Sequence, residues 1–468
     1  MGSISSAGLN QGSAETGHDT EKFGYKQELH RGLTLKDLII YGLITMLPIA
    51  PIEVYGLVAG ASFGMVPFVY MIGIVAMVFT ALSYNTMSRE FPISGSVYSY
   101  VQRGLNPHVG FVTGWLIMID YIMCPALLTG FAALWLNKII PSIPIYLIIL
   151  IFTVINTFII ARGITLTAIA NRIFLAMELI ILALFIFFAV KYVFIDGHGA
   201  GGFSLEPLFQ ADKMDLGFLA TATSIAVLGF LGFDVISTLS EEVKNPVKTV
   251  GRATVSSLLI IGLLFVVQTY VAALAHPQYE NLDPDMAMFD IAREVGGDWL
   301  YYTFIIVGVL AVGVANALAI QSAISRIIYS MSRDKLLPFS AILGKIHPQY
   351  KTPFNATIFV GIVTLVVAVT VSIEAIVQLL NFGALTSFML LNITVFAYFF
   401  IKKRQRDFKG FLKYAVLPAI GFSIIAFVWS GFDARTFMVG FVWMAIGIIM
   451  GAVKSKGYKE VPPTLRDV

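Results

Sequence analysis

Four acidic residues lie in highly apolar stretches of this chain, and the cost of keeping them there suggests what they do. Glu53 stands in the run Pro48-Ile49-Ala50-Pro51-Ile52-Glu53-Val54-Tyr55-Gly56, inside the first long apolar segment. A carboxylate in bilayer hydrocarbon costs roughly 2.5–3.5 kcal/mol even on lenient insertion scales, so it survives only beside a partner or a wet cavity. Two prolines and a glycine interrupt a helix there, and broken backbone at membrane depth is tolerated only where protein or a cavity satisfies the freed groups. An acid at such a break is suited to binding something positive. Asp234 follows a second interruption, Gly229-Phe230-Leu231-Gly232-Phe233. It can cap the half-helix that restarts there, since Asp is a favoured N-cap, or it can act as an amine counter-ion or gating carboxylate.

Asp120 and Glu178 are the other two, flanked by Leu116-Ile117-Met118-Ile119 and Phe174-Leu175-Ala176-Met177. Two close carboxylates cannot both ionise cheaply, so if this pair adjoins, one member holds a proton and the pair can couple transport to protons. The alternative is that they face different neighbours, or that Glu178 snorkels. Aromatics in apolar segments are core by default. Tyr55, Tyr121, Phe230 and Phe233 gain interest from their place beside the acids, because a ring face adds roughly 0.5–2 kcal/mol for a bound cation. Backbone freed at the breaks, around Pro48, Gly229 and Leu231, would supply further acceptors. His108, His276 and His347 sit at helix ends or in loops with no metal-ligand spacing. No nucleotide, metalloprotease, hydrolase or Cys-x-x-Cys motif occurs, so the sequence points to no enzyme, cofactor or metal. The single cysteine, Cys124, excludes an internal disulfide and reads as a small buried hydrophobe.

The elements that must position these residues are membrane helices. Apolar residues make up 57% of the chain and charged residues 13%, about half the charged share of soluble proteins. A span needs about 20 apolar residues. The sequence supplies twelve such segments, near 37–61, 66–88, 108–137, 143–161, 168–193, 214–240, 252–275, 299–331, 353–372, 375–401, 411–430 and 436–453. With the N-terminus in the cytoplasm, all of the 31 basic residues except Lys138, Lys191, Lys213, Arg293 and Arg435 fall on the inner side, so both termini are expected there. The net charge of +3 then reflects insertion; no basic, aromatic groove for nucleic acid is present. Residues 1–32 lack an apolar signal core and read as a disordered cytoplasmic tail, and 457–468 as a second. The interruptions in spans one and six lie five spans apart and enter from opposite sides, the arrangement of an inverted-repeat transporter.

Several segments resemble the amino acid–polyamine–organocation permeases, and among them bacterial putrescine importers. The run from Phe230 to Glu242, followed by Lys244-Asn245-Pro246, is similar to their sixth helix and following loop. Further matches are Asn106 to Phe111 with Gly114-Trp115, Asp120-Tyr121, Met331 with Arg333-Asp334, His347-Pro348 with Thr352-Pro353, and Asn381-Phe382-Gly383-Ala384. The resemblance implies an all-α, LeuT-like core of two five-helix inverted repeats at 33–401, two further helices at 402–456, and secondary active transport in the bacterial inner or plasma membrane. Amino-acid members carry a Gly-Ser/Thr-Gly stretch in helix one whose N–H groups hold the substrate carboxylate. Here those positions read Pro48-Ile49-Ala50, with Pro51 following, and Glu53 would repel a carboxylate. Cationic amino acid permeases often hold a lysine at the position of Glu178, near the helix-one break. The expected cargo is therefore a small organic cation, putrescine or a related polyamine, imported with protons. The alternatives are an amino acid or amino acid-derivative permease with Glu53 as its proton site, and outside transport a membrane nutrient sensor. Oligomeric state is not legible.

Overall fold

The computed structural model describes residues 32–93, 96–163, 168–333, 337, 339–350 and 352–459. Most of both expected tails lies outside these residues. The chain is built from helices: α1 (Leu35–Met46), α2 (Pro51–Ala61), α3 (Val66–Glu90), α4 (Ser96–Gly104), α5 (Pro107–Ile139), α6 (Ile145–Ala161), α7 (Ala168–Val190), α8 (Leu216–Ala226) and α9 (Pro246–Ala275). They continue with α10 (Ala287–Gly296), α11 (Asp298–Leu310), α12 (Ala317–Arg333), α13 (Ser340–Leu343), α14 (Phe354–Thr370), α15 (Ile373–Val395), α16 (Phe408–Phe411), α17 (Leu417–Trp429) and α18 (Ala434–Lys454). Among the described residues, nine helical stretches are long and apolar enough to cross a membrane, or ten if the bent pair α1–α2 counts as one. Two shorter apolar helices, α6 and α14, accompany them. This is a multi-pass, all-helical membrane protein.

The first break is set by its prolines. A capping box between Thr34 and Asp37 starts α1. The helix stops at Leu47, whose φ of 55° no helix can continue. Pro51 then occupies the first position of α2, where a missing N–H costs nothing, and α2 departs at 56° from α1. Tight turns consume three of the N–H groups nearby: Ala50 donates to Leu47 O, Ile52 to Ile49 O and Glu53 to Ala50 O, at 2.8–3.0 Å. The freed carbonyl of Pro48 accepts from Gln268 Nε2 of α9 at 2.9 Å.

The second break is set by glycine. α8, capped by Asp215, tightens into a 3₁₀ turn over Val227–Phe230. Leu231 is extended, Gly232 takes φ +102°, and the chain resumes at Asp234. It resumes as a 3₁₀ helix over Asp234–Glu242 rather than the α-helical half expected from the sequence. The two breaks touch: Thr45 Oγ1 donates to Gly232 O at 3.1 Å. A Cβ on Gly232 would come within 2.7 Å of the Thr45 carbonyl oxygen. Gly232→Ala therefore combines an unfavourable φ with a backbone clash, an expected cost of about 2–4 kcal/mol. A melting temperature in detergent several degrees below that of the parent protein checks this; an unchanged value would contradict it.

Around the breaks, α9 lies along α3 and α15 along α5. Polar ties join α15 to α3 and to α8. Ser83 Oγ donates to Asn392 Oδ1 at 2.6 Å, Asn392 Nδ2 to Thr80 Oγ1 at 3.2 Å, and Asn381 Nδ2 to the Ser224 carbonyl at 2.7 Å. Trp115 and Trp443 stack and exchange indole-to-carbonyl bonds at 2.8 and 2.9 Å, holding α18 to α5. The sequence reading missed α4 and α10, which are short and too polar to span. It also missed the π-helical stretches Ala311–Asn316, Phe396–Lys402 and Leu412–Val416 inside predicted spans.

Candidate functional site

A cavity of about 50 Å³ lies between the two breaks, walled by Glu53, Asp120, Tyr121, Gly229, Leu231 and Asp234, with Cys124 and Asn316 beside them. That is room for roughly three or four waters, so an occupant must be narrow. Glu53 is 5% exposed in the first turn of α2, and among the described residues no donor hydrogen-bonds its carboxylate. An ion left so would cost several kcal/mol. The helix N-terminus eases that cost by only about 0.3–2 kcal/mol.

Asp234 is treated differently. Its Oδ2 accepts from Tyr121 OH of α5 and Ser96 Oγ of α4, each at 3.2 Å. Backbone N–H groups of Gly232 and Asp234 also face it. Ser96 in turn meets Tyr84 OH at 3.3 Å. Asp234 begins the 3₁₀ helix instead of preceding it as a cap, and it links three elements at the second break. Asp120, 8% exposed, stands within electrostatic reach of Asp234. Glu178, 2% exposed, feels the charge of Glu53, and its Oε2 has no hydrogen-bond partner among the described residues. The acids thus group as Asp120 with Asp234 and Glu178 with Glu53, where the sequence reading paired Asp120 with Glu178.

The remaining candidates divide. Tyr121 is on the cavity wall, as are Gly229 and Leu231. Phe230 is not: it packs on Tyr70 and Phe265 in the core. Phe233 packs on Tyr84 and Phe388. Tyr55 lines a separate cavity of about 120 Å³ with Phe63 and Tyr279. Pro48 is behind the wall, its carbonyl engaged by Gln268. Glu178 is likewise off the wall. Cys124, expected to be a small buried hydrophobe, is half-buried and lines the cavity. Sequence reasoning missed Asn316. It ends the π-helical stretch in the predicted eighth span, is 6% exposed, and leaves Oδ1 without a partner among the described residues. An amide in so apolar a segment was the available signal, and π-bulges frequently mark functional sites.

Interrupted helices enclosing a small acid-lined cavity within a multi-pass bundle are the architecture of a permease. The family model described as amino acid permease matches residues 38–453, and the chain belongs to that family of transporters, within the amino acid–polyamine–organocation superfamily. It is 32% identical over 444 residues to the low-affinity putrescine importer PlaP of Escherichia coli (strain K12), covering 94% of this chain and 97% of the relative. It is 24% identical over 417 residues to the branched-chain amino acid permease BcaP of Bacillus subtilis (strain 168), covering 84% and 86%. It is 27% identical over 457 residues to the methylthioribose transporter of the same organism, covering 91% and 93%. These relatives are transporters, not enzymes.

Proposed function

We propose that this permease imports a small organic dication, putrescine or a related polyamine, together with protons. The observation that carries the reading is Glu53: a buried carboxylate at a helix break, facing a cavity, with no hydrogen-bond donor of its own among the described residues. A substrate ammonium supplies the missing partner. Asp234, across the cavity, receives the second ammonium alongside Tyr121, and the Asn316 amide oxygen accepts a further N–H. At the first break Pro48 and Pro51 have no N–H, and those of Ala50, Ile52 and Glu53 are spent in turns, so an α-carboxylate meets few donors and the like charge of Glu53.

In this reading the bent pair, the nine long helices and the two short ones make twelve spans. Residues 33–401 form a LeuT-like five-plus-five inverted repeat and 402–456 two added helices. Both tails are cytoplasmic and the membrane is the bacterial inner or plasma membrane. Alternating access moves spans one, two, six and seven against the rest.

Competition for uptake into proteoliposomes tests the substrate class. Putrescine is expected to displace a labelled diamine at least tenfold better than ornithine, which adds only a carboxylate. If ornithine, arginine or a neutral amino acid competes better than putrescine, the cargo is an amino acid. A protein that binds diamines without flux would be a sensor.

A further inference from the structure

Away from the cavity, a groove of about 420 Å³ runs between α15 and α17, lined by Ile393, Phe396, Phe411, Ala415, Ala419 and Phe422. Its polar members are Asn392, whose amide is already engaged by Ser83 and Thr80, and Ser423. The interior therefore suits a hydrocarbon chain. Any lipid tail could enter such a slot; its mouth is what discriminates.

The segment 402–413 holds six basic residues and one acid, Asp407. Lys403 is neutralised by Glu90 of α3. Among the described residues, Lys402, Arg404, Arg406, Lys409 and Lys413 have no carboxylate within ion-pair distance. One of these charges is fixed beside the groove. Arg406 Nε donates to the Phe400 carbonyl at 3.2 Å, and its guanidinium lies 5.5 Å over the Phe400 ring. That ring stacks on Phe396 at 5.4 Å and packs on Phe411 at 6.1 Å, both of them groove walls. The guanidinium is thus held at the end of the groove, where an amphiphile's headgroup would lie. Basic pockets at the ends of membrane helices recognise anionic headgroups.

We propose that this groove is a specific site for one anionic phospholipid. One acyl chain lies along Phe396, Ala415, Ala419 and Phe422, and the headgroup is held by Arg406. A zwitterionic lipid offers the same chain but carries its own cation against this charge.

Native mass spectrometry of the delipidated full chain, titrated with phosphatidylglycerol or phosphatidylcholine of identical acyl chains, tests this. The parent protein is expected to retain one phosphatidylglycerol with at least a tenfold preference. Arg406→Gln is expected to lower that preference about fivefold. Ala419→Phe, which fills the slot, is expected to reduce retention of both lipids. Equal retention of the two lipids by the parent protein would overturn the proposal, as would an unchanged preference in Arg406→Gln or full retention in Ala419→Phe. Should Arg406→Gln fail to fold, Ala419→Phe alone keeps the test, with reduced retention expected and full retention contradicting the site.

Discussion

Glu53→Gln is expected to reduce diamine affinity at least thirtyfold while leaving the empty protein as stable as before, or more so. Truncating one partner of a buried charge pair costs about 2–5 kcal/mol, and each 1.4 kcal/mol is about tenfold in affinity. The second half of the expectation follows from the empty cavity. Among the described residues Glu53 has no donor to lose, and a neutral amide avoids the cost of holding an uncompensated ion in the bundle. A structural carboxylate would behave oppositely, since its removal would strand a partner and lower the melting temperature. Calorimetry gives the affinity and a thermal shift without ligand gives the stability. Parent-like affinity in Glu53→Gln would remove this residue from the binding site. A large loss of stability in the empty variant would make it a structural group instead.

The reasons some of this site was legible and some was not are geometric. Glu53 and the two breaks could be read because charge, proline and paired glycines are each costly in a membrane helix, so their presence carries information by itself. The rotation of a residue about its helix carries no such cost. Tyr55 is two residues beyond Glu53; at 3.6 residues per turn it lies roughly 200° around α2, and it faces another cavity. Phe230 precedes Leu231 directly, yet the 3₁₀ turn sends the ring into the core and leaves Leu231 on the wall. Which acid meets which is a matter of tertiary contact, and no spacing along the chain relates Asp120 to Asp234 or Glu178 to Glu53. The second half of span six is 3₁₀ over a sequence, Asp234 to Glu242, whose Ser237 and Ser240 hydroxyls donate to carbonyls three residues back at 2.6 and 2.5 Å. Such local side-chain bonds compete with the α-helical ladder, and they were visible only as a run of small polar residues.

Glu178→Gln is expected to separate binding from energy coupling. Glu178 lies off the cavity wall but within electrostatic reach of Glu53, with one carboxylate oxygen unpartnered among the described residues. Two neighbouring carboxylates favour ionising one at a time, so under the proposed proton coupling the outward-facing pair would hold one proton. An arriving ammonium would pair with Glu53 and leave that proton on Glu178. As the broken helices shift, the proton would be given up to the inner side, and the pair would regain one only from the outer side. A permanently neutral amide at 178 fixes the bound-state charge, so exchange of labelled for unlabelled diamine across proteoliposomes should persist within about threefold of the parent rate. Accumulation driven by an imposed inward pH gradient should fall at least tenfold, because no proton is released in the cycle. Asp120→Asn tests the other pair: if Asp120 and Asp234 share the coupling proton instead, accumulation falls in Asp120→Asn and survives in Glu178→Gln. Strict dependence of parent uptake on sodium at fixed pH would make these oxygens cation ligands and end the proton reading for both pairs.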